Sequence, residues 1–173
     1  IYDVPLKMLE EGLDKVVLKK LGLNSINKPN LKDWNLFLQK FKNPKRSIKI
    51  GLIGKYVELK DSYKSILESL IHAGAVNETE VEVITIHSEH IDRKNICEKL
   101  KLLNGLIVAP GFGQRGIEGK IEAIRFSREK KVPFFGICLG MQMAVIEYAR
   151  NKLKYNEANS TEMDPKCNFP VID

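Results

Sequence analysis

A chain of 173 residues is long enough for one domain with a real core, and 43% hydrophobic with 29% charged residues is the balance of an ordinary soluble globular protein. No apolar run approaches the roughly 18 residues that a membrane helix needs. The net charge of +6, from 28 basic and 22 acidic residues, raises nucleic acid as a partner, but the lysines are dispersed and nowhere interleave with aromatics as a single-strand groove would. The excess therefore reads as solvated surface, or as a face toward another domain or an anionic nucleotide. Three cysteines, an odd and small number, point to reduced thiols and a cytoplasmic home. The start, Ile1-Tyr2-Asp3-Val4, has neither the basic nor the apolar region of a secretion signal; it also lacks an initiator methionine, so the chain reads as a piece of something longer.

Residues 1–23 read as helical, with Leu6, Leu9, Leu13, Val16, Val17 and Leu21 at three- and four-residue steps. Pro5 suits a first turn, Gly12 breaks the run in two with Asp14 near the second start, and Gly22 ends it. The polar stretch from Asn24 to Asn30 is a loop. Asn30 is placed to cap a helix whose Leu31, Trp34, Leu38 and Phe41 share a face. Phe41 to Arg46 reads as a linker, which puts a domain boundary near residue 46.

From Ser47 strands and helices alternate, the pattern of a parallel sheet with helical crossovers. Strands are expected at 48–53, 81–86, 106–109 and 132–137. Helices are expected after Asp61 (Tyr63, Ile66, Leu67, Leu70 and Ile71 on one face, Gly74 ending it), from Asp92 through Leu103, over Ile117–Lys130, and from the elbow to about Asn151. Gly51-Leu52-Ile53-Gly54-Lys55-Tyr56 invites a phosphate-loop interpretation, but it has two residues between its glycines where the motif needs four, and Tyr where it needs Ser or Thr. The tail from Lys152 has no strong period until Phe169–Asp173, which resembles the start of a strand.

The chemistry concentrates at Gly136-Ile137-Cys138-Leu139-Gly140. A G-x-C-x-G sequence between a strand and a helix places Cys138 on a sharp turn at a helix N-terminus, where the dipole favours a thiolate. A structural buried cysteine at a Gly-rich turn is the other possibility. A thiolate attacking an acyl carbon needs an oxyanion hole and a base. The N–H of Leu139 is one candidate donor. The loop Pro110-Gly111-Phe112-Gly113, at the carboxyl end of a neighbouring strand, offers Gly111 as a second, whereas Pro110 has no N–H. None of His72, His87 and His90 is marked as the base. Cys97 reads as a helix-packing residue, and Cys167 has no partner that indicates a zinc site.

Gly136 through Gln142 resembles the nucleophile motif of class I glutamine amidotransferases. Taken with Gly54-Lys55-Tyr56 through Ser65, Gly111 through Gly116, and Ala158-Asn159-Ser160-Thr161-Glu162, it resembles the glutaminase domain of the CTP synthase family, and Tyr2 through Leu18 resembles the end of that family's synthetase domain and its linker. The resemblance implies an α/β fold: an open, mostly parallel, flavodoxin-like sheet with helices on both faces, incomplete at the C-terminus. Residues 1–46 would be the helical end of the synthetase domain and linker, and 47–173 the N-terminal part of the amidotransferase domain. It implies Cys138 as nucleophile, Gly111 and Leu139 as oxyanion donors, and Gly111, Phe112, Leu139, Gly140, Met141, Gln142 and Glu162 as contacts to L-glutamine. Glu162 suits the α-ammonium of an amino acid. No metal or cofactor is implied for these residues: ATP, UTP and Mg²⁺ would belong to a synthetase domain, with GTP as activator and a homotetramer as the assembly, without nucleic acid or membrane.

There are two departures. Ala109-Pro110 stands where the family usually has Pro-Gly, which stiffens the loop but keeps Gly111. The family's His-Pro-Glu motif and a substrate-binding Arg are not among these residues, so little or no turnover is expected from them alone. A different G-x-C-x-G hydrolase of the dienelactone-hydrolase type, or a non-catalytic flavodoxin-like module, are the alternatives.

Overall fold

The structure, a computed structural model, describes residues 1–24, 29–59 and 61–173. Residues 25–28 of the expected loop, and Lys60, lie outside the described residues. The chain divides into two compact units: Ile1–Arg46 with Ile71–Glu80, and Ser47–Leu70 with Val81–Asp173.

In the first unit, α1 (Val4–Glu10) carries Pro5 in its first turn, and Gly12, at φ 70°, separates it from α2 (Leu13–Lys20). Neither helix buries a residue, so Leu13, Val16, Val17 and Leu21 are exposed although their spacing makes an apolar face. Helix α3 (Lys32–Lys42) is amphipathic and buries Leu38. Its N-cap is Leu31 rather than Asn30; the Asn30 side chain acts one position earlier, accepting the Lys32 N–H at 3.0 Å. The linker expected from Phe41 shrinks to three residues, because the helix holds through Lys42 and the first strand opens at Arg46. Aromatic packing holds this unit together. The Tyr2 ring meets Phe37, Phe41 and His72 edge-on at 5.4–5.7 Å, and Trp34 Nε1 donates to the Tyr2 carbonyl at 3.0 Å.

The second unit is built on a four-stranded sheet in the order β2-β1-β3-β4, from β1 (Arg46–Gly54), β2 (Thr79–His87), β3 (Gly105–Val108) and β4 (Phe134–Gly136). β3 runs parallel to both β1 and β4. This is the doubly wound order whose ligand crevice lies at the carboxyl ends of the strands, where the chain reverses direction between β1 and β3. Strand periodicity divides the core between two faces. Ile53, Leu106 and Val108 pack on one side with Leu100 of α5 (Ile96–Leu100), Ile121 of α6 (Ile117–Lys130) and Met143 of α7 (Leu139–Asn151). Leu52, Ile107 and Ala109 pack on the other with Ile66, Leu67 and Leu70 of α4 (Lys64–Val76).

Several boundaries differ from expectation for local reasons. Tyr63 precedes α4 instead of lying on it, and its hydroxyl accepts the Lys55 N–H at 3.1 Å. Gly74 does not end α4; it is buried inside it, two residues before the end. The helix expected from Asp92 is only α5, since Asp92 Oδ1 takes the N–H groups of Lys94 and Asn95 and forms a turn. Cys97 is exposed, not packed in a core. In α7, Met141, Val145 and Tyr148 form the outward face, while Met143, Ile146 and Ala149 are buried. The tail holds a second, two-stranded parallel sheet of β5 (Ala158–Ser160) and β6 (Phe169–Ile172), of which only β6 was legible in the sequence.

Candidate active site

The paired ends Ile53–Val108 and Val108–Gly136 bring three segments out side by side at one edge of the sheet. These are Lys55 after β1, the loop from Ala109 after β3, and Cys138 after β4.

Cys138 has φ 52° and ψ −112°, a conformation that residues with a side chain rarely adopt and that costs on the order of 1–3 kcal/mol. The surrounding contacts enforce it. The Ile137 N–H donates to the Val108 carbonyl at 3.0 Å, and the Cys138 carbonyl accepts from Met141 at 3.0 Å and Gln142 at 3.1 Å. A Cβ on Gly136 would strike the backbone of Gly140, and a Cβ on Gly140 would strike the Val108 carbonyl oxygen. Strand and helix therefore touch through glycine alone. Gly140→Ala is expected to cost about 2 kcal/mol by forcing α7 off β3; an unchanged denaturant midpoint would contradict that contact. The turn holds Cys138 exposed at the N-terminus of a 13-residue helix, which does not fit a buried structural cysteine. Leu139 is the first residue of α7, so its N–H has no acceptor within the helix. Its side chain is buried, as is Gly140; Met141 is exposed and Gln142 half-buried.

Gly111 has φ 155°, and Phe112 beside it is 82% exposed. Gln114 Nε2 donates to the Met163 carbonyl at 2.5 Å, which ties this loop to the segment holding Glu162. Glu162 itself is exposed, its N–H donating to Ser160 Oγ at 3.2 Å. Arg115 pairs with Glu89 at 2.9 Å and lies over the Tyr56 ring at 5.8 Å.

Two lysines that composition assigns to solvated surface are buried beneath the loop. Lys120 is fully buried in α6, and its Nζ donates to the Ala109 carbonyl at 2.7 Å. Lys55 is 3% exposed, and its Nζ donates to the Phe112 and Gly113 carbonyls at 2.5 Å each, so it serves peptide oxygens rather than a phosphate. Burial pushes the Lys120 ammonium down to about 8; the Lys55 charge pushes the same way and Cys138 opposes. Burial also lowers Lys55, helped by Arg115 and opposed by Glu162 and Glu89. The sequence does carry a signal for Lys120. It lies in the stripe Ile117, Ile121, Ile124, where a lysine with no buried partner would be excluded.

The histidines have other engagements. His72 packs on Tyr2 and Phe37, His87 Nδ1 accepts the Glu89 N–H at 3.3 Å, and the His87 and His90 rings lie 4.8 Å apart. Among the described residues no cluster of His, Cys, Asp and Glu is arranged to hold a metal, and no helix is long and apolar enough to cross a membrane.

Residues 58–171 match the family model "Glutamine amidotransferase class-I". The chain belongs to the class-I glutamine amidotransferase family. Its likeness to CTP synthases covers all of its residues. It is 67% identical over 173 residues to the CTP synthase of Flavobacterium psychrophilum and 53% identical to that of Clostridium beijerinckii. It spans 32% of the length of each, about a third. Among solved structures it resembles the glutaminase domain of Trypanosoma brucei CTPS with bound acivicin. That match has a TM-score of 0.66 and 34% identity, and covers 72% of this chain and 48% of that one. The sheet edge that carries Cys138 lies within these matched residues.

Proposed function

We propose that the chain is the part of a CTP synthase that hydrolyses glutamine and supplies ammonia for the ATP-dependent amination of UTP. The observation that carries this is Cys138: an exposed thiol held at φ 52° at a helix N-terminus, within a matched amidotransferase domain. The thiolate adds to the side-chain amide carbon of glutamine, and the carbonyl oxygen takes the negative charge. The N–H groups of Gly111 and Leu139 receive that oxyanion. The C–N bond breaks as the nitrogen gains a proton and leaves as ammonia, giving a glutamyl thioester. Water then cleaves the thioester to glutamate and restores the thiol.

Glutamine is held by Gly111, Phe112, Leu139, Gly140, Met141 and Gln142, with Glu162 paired to its α-ammonium. Proton transfer needs a base, and His72, His87 and His90 are engaged elsewhere. The 173 residues alone are therefore expected to acylate but to turn over little or no glutamine. ATP, UTP and Mg²⁺ are assigned to a synthetase part outside these residues, with GTP as activator of the whole enzyme, a homotetramer in the cytoplasm. Acivicin, a glutamine-like electrophile, tests the site directly. Attack by Cys138 on its ring carbon forms an S–C bond and expels chloride. One adduct per chain at Cys138, prevented by excess glutamine, is expected; labelling that glutamine does not slow would overturn the glutaminase assignment.

A further inference from the structure

We propose that Lys120 and Lys55 are positioning residues that lock the loop from Ala109 to Gly113 with its amides, not its carbonyls, turned toward Cys138. This rests on the glutaminase assignment above. A loop peptide can present either its N–H or its C=O to the site, and only the N–H stabilises an oxyanion. The peptide whose orientation matters joins Pro110 to Gly111. The peptide before it is fixed by the Lys120 Nζ bond to the Ala109 carbonyl at 2.7 Å. Beyond Gly111, the Phe112–Gly113 and Gly113–Gln114 peptides are fixed by the Lys55 Nζ bonds to the Phe112 and Gly113 carbonyls at 2.5 Å. Between these anchors Pro110 has a ring-fixed φ, so turning the Pro110–Gly111 peptide is left to the Pro110 ψ and the Gly111 φ. A Cβ built on Gly111 would lie 3.7 Å from Lys55 Cδ and 3.8 Å from Lys120 Nζ, which places both lysine chains directly behind this residue.

The arrangement is costly, since two ammoniums are buried within mutual repulsion, and a merely structural plug would be served better by methionine. The positive charge is useful only while the lysines are protonated. Lys120 is held down to about 8 by burial and by Lys55, against the attraction of Cys138, while Arg115, Glu162 and Glu89 act on Lys55. As pH rises through that value, Lys120 becomes a neutral amine, its bond to Ala109 weakens, and the loop regains freedom.

The test compares two reagents on Cys138 of the full-length protein. Iodoacetamide alkylates the thiolate without needing the oxyanion donors. Acivicin develops negative charge on its ring nitrogen as the thiolate adds, and so does need them. At pH 7, Lys120→Met and Lys55→Met are each expected to lower the acivicin-to-iodoacetamide rate ratio about tenfold. In the parent protein that ratio falls between pH 7 and 9. Lys120→Met flattens the fall to whatever slope the analogue's own amine leaves, whereas Lys55→Met retains it. Lys120→Gln keeps a donor for Ala109 without the charge and is expected to recover part of the ratio but no pH step. A parent ratio flat with pH, or lysine variants labelled at the parent ratio, would overturn the role of the lysines alone. Parent protein that reacts with iodoacetamide but never with acivicin would overturn the glutaminase assignment, and this inference with it.

Discussion

Cys138→Ala is expected to abolish acivicin labelling and, in the full-length enzyme, to reduce glutamine-dependent turnover by about 10⁴-fold or to background, because no other group can form the thioester. Turnover with supplied ammonia should survive, since that route needs no thioester. Equal loss with glutamine and with ammonia would mean that the substitution had damaged the protein rather than its chemistry. Cys138→Gly separates the two further. The cysteine sits at φ 52° and ψ −112°, where glycine pays little and a side chain pays on the order of 1–3 kcal/mol. Part of that gain is lost to the greater freedom of glycine in the unfolded chain. The glycine variant is therefore expected to be inert and yet about 1 kcal/mol more stable than the parent, seen as a higher urea midpoint. Destabilisation by Cys138→Gly would show that the turn is not strained and that the thiol is held by packing instead.

The elbow could be read from the sequence because it needs residues of unusual type at exact spacing. Gly136 and Gly140 leave room where no Cβ fits, and a cysteine between them has few structural uses. Helix α6 was legible to the residue, since Ile117, Ile121 and Ile124 mark one face and a Gly-rich loop stops before it. Helix α7 was legible in extent but not in orientation. Met141, Val145 and Tyr148 are as apolar as the buried Met143, Ile146 and Ala149, so periodicity offers two inward faces and tertiary packing chooses. β5 was hidden for a different reason. Ala158, Asn159 and Ser160 have no strand preference of their own; pairing with β6, and the Arg150 Nε bond to the Ala158 carbonyl at 2.7 Å, make the strand. The lysines were missed because a charged residue is assumed to face water. Lys55 drew notice in a phosphate-loop comparison and as part of the stretch that carries the family resemblance, but not as a buried residue, and Lys120 none at all, although both end on peptide carbonyls of one loop.

Gly111→Ala is expected to slow acivicin labelling and glutamine-dependent turnover by about 10²-fold, close to the loss of one oxyanion donor, on the order of 3 kcal/mol. The reason is conformational and not steric. The nearest heavy atoms to a Cβ at this position lie 3.7–3.8 Å away, which is ordinary contact, so alanine has room. What alanine lacks is access to φ 155°, the backbone conformation found here. The Ala109, Phe112 and Gly113 carbonyls are held by Lys120 and Lys55, so the relaxation is expected to fall on the peptides either side of Gly111 and to turn its N–H away from the proposed oxyanion. Stability should change little, because the neighbouring Phe112 is 82% exposed. Iodoacetamide alkylation of Cys138 should be unaltered, since the thiol and its helix are untouched. Loss of both reactions together would place the damage at the elbow, and a full acivicin rate in Gly111→Ala would remove this amide from the oxyanion site and leave Leu139 to act without it.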